Sequence, residues 1–229
     1  RYHKAITTDR LDAQRWFNQG LQLAYGFHHT EAERSFREAA RLDPAAAMPW
    51  WGIAYVLGPN INDPMIAPDR HARAYEAAQR ALALLDDETT LERALVEAVE
   101  TRYAAEKPDD VTDLNQAYAD AMAGVYARFP DDSEVGVLYA DAMMCQQPWD
   151  YWTVEGRHKG NTTTIRRVLE GVLAREPDHP NACHLYIHAM EAGPEPELAV
   201  PAGEVLATRI PGSGHLLHMP SHIYAVVGR

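Results

Sequence analysis

Residues 13–44 read AQRWFNQGLQLAYGFHHTEAERSFREAARLDP, and the spacing of large and small side chains in this stretch decides the fold. Trp16, Gly20, Ala32, Phe36, Ala39 and Pro44 follow one another in an order that suits two helices lying side by side. The small Gly and Ala let the backbones approach, the large Trp and Phe fill the gap, and Pro ends the second helix. The stretch predicts helices over 11–25 and 30–42. Thr30 is placed to cap the second, with Glu33 three residues on completing a capping box.

This order is the W, G, A, F, A, P spacing of a tetratricopeptide unit of about 34 residues, with Gln19 and Leu23 as the departures. A second unit starts immediately, since Trp50 and Ala54 take the corresponding positions of a helix that Gly58-Pro59 would end. Residues 58–70, GPNINDPMIAPDR, then predict a long loop. Helices are expected at 71–85, 90–105, 113–129 and 133–144. A second irregular insertion over 145–161 carries Trp149, Tyr151 and Trp152, and further helices are expected at 163–175, 181–191 and 195–208, the last stopped by Pro211, and from Pro220 onward. No strand pattern is found. The expected fold is all-α, a tetratricopeptide-like solenoid of antiparallel helix pairs forming one helical-repeat domain over 1–229 with about ten to thirteen helices.

Composition narrows the function. A chain of 229 residues that is 46% hydrophobic can bury a sizeable core, and no apolar run approaches the roughly 20 residues of a membrane span. A formal charge of -12 opposes binding to nucleic acid, which depends on clustered Lys and Arg. Cys145 and Cys183 are too few and too far apart for a disulfide framework or a thiolate zinc site. Cys183-His184 ends like a haem-attachment motif, but Pro180 stands where the first Cys belongs.

Histidine is concentrated near the end of the chain, where five of the 11 lie between Asn181 and Tyr224. His184 and His188 are four apart on an expected helix and share one face. His215, His218 and His222 follow around Pro220, which fits the first turn of a helix. His215 and His218 are therefore expected in the loop before that helix and His222 on it. If neighbouring helices bring the two groups together, they form a transition-metal site, with His29, Glu191 and Asp150 as further candidate ligands. Imidazoles without thiolate point to copper or zinc, and the nearby Met190 and Met219 would favour Cu(I). The competing reading has these histidines packing and hydrogen-bonding within the repeats. Trp149 and Trp152 suit either a lid or an anchor for their loop, and Trp50 is expected in the core. The acidic pairs Asp109-Asp110 and Asp131-Asp132 read as helix caps and surface charge, and His179 and His71 as loop and cap residues.

The stretches WFNQGLQLAYGFHHTEAERSFREAARLDP, MPWWGIAYVLGPNIN, HLYIHAMEA and GHLLHMPSHIY resemble a group of bacterial tetratricopeptide repeat proteins that share such runs and have no established activity. The resemblance covers most of the chain. It implies an all-helical repeat fold and a longer protein, a fragment or processed form of which would begin at Arg1. The group commonly reads GFNH in its first run, so His29 matches the shared His while His28 stands in place of Asn.

Two function classes follow. One is a binding or assembly protein carrying a copper or zinc site, with a protein partner or with other copies of itself stacked end to end into a filament through the apolar HIYAVVGR terminus. The other is a metal-dependent enzyme with the histidine cluster as its centre and Glu191 as base. A metal-free interaction scaffold stands beside them. The sequence shows no acid/base pair, which favours binding over catalysis. Two distant cysteines are compatible with an oxidising compartment, and the reading leans to a periplasmic or extracellular location over a cytoplasmic one.

Overall fold

The computed structural model describes residues 2–86, 89–209 and 213–229. The protein is all-α. Eleven α-helices are present among the described residues, which contain only the isolated bridges Asn60–Asp63 and Trp152–His158 and no strand. The chain divides into two compact units, residues 1–129 and 130–229. No described helix is long and apolar enough to cross a membrane.

The first unit holds α1 (Leu11–Tyr25), α2 (His29–Leu42), α3 (Ala47–Leu57), α4 (Pro68–Ala83), α5 (Thr90–Glu100) and α6 (Thr112–Arg128), each packed on the next. Small-against-large packing organises its start. A β-carbon added at Gly20 would lie 2.6 Å from the Phe36 ring, and one added at Gly52 would lie equally close, so α1 and α3 both close on α2 through glycine. Phe17 and Phe36 are fully buried, with ring centroids 5.4 Å apart, and Trp51 is buried beside them. The signature Trp16 is instead 37% exposed, because Phe17, one position along the helix, takes the inward direction. Trp50 is likewise half-buried while Trp51 fills the core.

The expected capping box at Thr30 is absent. Helix α2 begins at His29 without a side-chain cap, and Glu33 instead pairs with Arg37 and Arg73. A complete box forms at Thr89 and Glu92. Glu92 also accepts the backbone N–H of Thr7 at 2.7 Å, which ties the N-terminal segment to α5. The 58–67 loop is held from beneath. Arg70 donates to the carbonyls of Leu57 and Gly58, each at 2.8 Å, and Arg102 donates to that of Pro59 at 2.8 Å.

The second unit contains α7 (Ser133–Gln146), α8 (Thr162–Arg175), α9 (Pro180–Met190), a 3₁₀ turn (Pro196–Ala199), α10 (Val200–Arg209) and α11 (Gly214–Val227). Asp132 caps α7 by accepting from Val135 N–H at 3.0 Å, and His179 caps α9 by accepting from Ala182 N–H at 3.3 Å. Helix α9 is central: α7, α8, α10 and α11 all pack on it, and every residue of it is buried. The stop expected at Pro211 lies outside the described residues.

The largest departure is at Pro220. It lies inside α11 rather than opening a helix. Ser213 caps the helix further back, accepting from Leu216 N–H, and Leu216, Met219, Pro220 and Ile223 form the buried face. One missing i to i−4 bond is tolerated because the apolar face is anchored on both sides of it, each fully buried large side chain contributing roughly 1.5–3 kcal/mol. His215, His218 and His222 therefore all ride on one helix. Helix α11 ends at Gly228, whose φ of 74° suits glycine.

Candidate metal centre

Helix α9 carries the first two histidines because its 3.6-residue period stacks His184 and His188, and because burial on every side gives them nowhere to point but into the unit. His184 is fully buried and His188 is 2% exposed. Their Nε2 atoms are 3.1 Å apart. From α11, His215 brings its Nε2 to 2.9 Å from that of His184. The three rings offer ligand atoms that all lie within 4.8 Å of one another, a group able to hold a metal ion.

Glu191, one turn after His188, faces the cluster. Its Oε1 lies 3.1 Å from His188 Nδ1 and its Oε2 lies 2.6 Å from His222 Nδ1. Burial opposes ionisation of this carboxyl, but the hydrogen bonds from His188 and His222 outweigh it and hold its pKa below the usual carboxylate value. It is thus an acceptor, and each imidazole donates Nδ1–H to it. That assigns the Nε2 of His188 as a bare lone pair. Burial also pushes the pKa of His188 down, against the opposing pull of Glu191, which keeps the ring neutral as a ligand must be.

His184 stands between the other two rings. A ring nitrogen carries either one hydrogen or one lone pair in the ring plane, yet His184 Nε2 faces two other Nε2 atoms. As a lone pair it would face that of His188, and as N–H its one hydrogen could not be aligned with both neighbours. Three ligands at 2.0–2.1 Å from a tetrahedral ion would place their nitrogens about 3.3–3.4 Å apart, and the two contacts of His184, at 2.9 and 3.1 Å, lie within a few tenths of an ångström of that spacing.

The 147–161 loop covers this corner. Trp149 sets its ring edge-on to His188, with centroids 4.9 Å apart, while remaining 48% exposed. Its φ of 64° is a costly conformation for a bulky residue. The loop is pinned on either side of it. Trp152 donates to the Ala189 carbonyl at 2.7 Å, and Gln147 accepts from Asn161 N–H at 2.7 Å. Trp152 is therefore an anchor, and Trp149 is the residue placed over the site.

The other candidates lie elsewhere. His218 and His222 extend the network along α11, with their Nε2 atoms 2.9 Å apart, but are not in the three-histidine group. Asp150 pairs with Lys159. His29 belongs to the first unit, at the start of α2, where its ring stacks on Phe27 and neither ring nitrogen has a hydrogen-bond partner among the described residues. Burial, then the Arg70 charge, lowers its pKa to about 4. Met190 and Met219 are fully buried. Cys183 adjoins His184 in sequence, but its thiol donates to the Pro177 carbonyl and burial raises its pKa to about 12, so it offers no thiolate. Sequence reasoning named Glu191 as a ligand or base; the geometry makes it the group that orients two imidazoles. No protein-family model matches the chain, and no curated protein matches it either.

Proposed function

We propose that this protein is a helical-repeat binding or assembly protein of the tetratricopeptide type that carries one copper or zinc ion on His184, His188 and His215. The observation that carries the reading is the convergence of three imidazoles, whose ligand atoms all lie within 4.8 Å of one another, with two Nε2–Nε2 distances of 2.9 and 3.1 Å. A cation between them satisfies all three at once. Glu191 supports it as the outer carboxylate that fixes the ring orientation of a metal-ligating histidine and raises its basicity. Three imidazoles without thiolate suit either metal.

Catalysis is the second reading, favoured by one observation: three protein ligands leave the fourth tetrahedral position open, as catalytic zinc sites do. A base for it is harder to supply. Both carboxylate oxygens of Glu191 are engaged by imidazole N–H groups, which opposes its use in proton transfer. Binding therefore stands first.

The test is elemental analysis of protein purified without added chelator and reconstituted with Cu or Zn, beside the His184→Ala/His215→Ala double variant. The reading expects metal bound tightly by the wild type and loss of that tight binding in the variant with helical content retained. Equal metal retention by both would reject it.

A further inference from the structure

A second approach of imidazole nitrogens lies on the outer turn of α11. His218 and His222 are four apart on the helix, and their Nε2 atoms face each other at 2.9 Å. His222 donates its Nδ1–H to Glu191 Oε2 at 2.6 Å, which turns its Nε2 toward His218. His218 is held by Ser221, whose hydroxyl donates to the His218 carbonyl at 2.7 Å and lies 3.3 Å from His218 Nδ1.

Two ring nitrogens thus face each other across 2.9 Å, one ring held by a carboxylate and the other beside a serine hydroxyl. We propose that His218 and His222 form a second transition-metal site, exposed where the first is buried, and joined to it by Glu191, which orients His188 for one ion and His222 for the other.

The ligand class is a borderline divalent or monovalent ion that accepts neutral imidazole, copper or zinc, with water completing its shell. The hard ions Ca²⁺ and Mg²⁺ are disfavoured because the site offers them no oxygen ligand. Ring centroids of His188 and His222 are 5.8 Å apart, so the two sites are neighbours on one carboxylate. The outer site shares Glu191 with the three-histidine centre but uses none of that centre's ligands, and the two can be removed separately.

The experiment is a zinc titration of the full chain by calorimetry, with bound metal counted by elemental analysis, for the wild type, His218→Ala/His222→Ala and His184→Ala/His215→Ala. Circular dichroism checks that each is folded. Two ions on the wild type, with one retained by each double variant, is the expected result. A single ion that persists in His218→Ala/His222→Ala overturns the outer site and leaves the inner one standing. A single ion lost from His218→Ala/His222→Ala but kept by the other variant supports the outer site and rejects the inner. No bound zinc in the wild type overturns both. Ser221→Ala provides a milder probe that leaves both imidazoles in place, and a fall in outer-site affinity of roughly 10-fold is expected from loss of an orienting partner.

Discussion

Glu191 receives His188 on one carboxylate oxygen, at 3.1 Å, and so decides which nitrogen of that buried ring can face a metal. A carboxylate that fixes a tautomer acts at one remove from the ion. Replacing it by Gln keeps the shape but leaves only one accepting oxygen for two imidazole donors. Glu191→Gln is expected to weaken zinc binding about 10- to 100-fold, measured by competition with a chromophoric chelator, while helical content is unchanged. An unaltered affinity would mean that the carboxylate has no orienting role.

The packing of α1 and α3 on Phe36 gives a prediction about stability. Gly20→Ala and Gly52→Ala each put a methyl group 2.6 Å from a fully buried ring. Overpacking of this kind costs about 1–3 kcal/mol, to be read from urea unfolding. Neutral or stabilising effects at both positions would contradict the close approach.

Acid should destabilise the metal-free protein through His29. Its folded pKa is lowered to about 4 from 6.5, chiefly by burial, so between those values the unfolded chain binds more protons than the folded one. Stability from this group is complete above about pH 6.5 and is lost as pH falls toward 4, by about 3 kcal/mol at 1.36 kcal/mol per unit. His29→Leu should flatten the pH dependence of stability in that window. A slope identical to wild type would show that His29 is protonated as readily folded as unfolded.

Much of the fold was legible because local chemistry sets most helix ends. The first helix is observed over the expected Leu11–Tyr25, and Asp132 caps as its position suggested. Errors arose where a distant partner overrides a local rule. Glu33 would close a box with Thr30 in isolation, but Arg73, forty residues on, competes for it. Pro220 looks like a helix start, yet buried neighbours keep α11 continuous through it. The histidines of the centre were all named from the sequence, whereas the division between an inner three and an outer two was not. That division depends on Glu191 meeting His222 across 31 positions, a contact with no sequence signal.

Whether one metal ion binds to three imidazoles is read from X-ray absorption at the metal edge of protein carrying one equivalent of zinc. The expected first shell holds three imidazole nitrogens at about 2.0–2.1 Å and one further light ligand in the wild type, and in His184→Ala/His215→Ala this three-imidazole shell is lost, leaving at most the two imidazoles of His218 and His222. A wild-type shell dominated by oxygen, or a three-imidazole shell that survives in the double variant, is the opposite result.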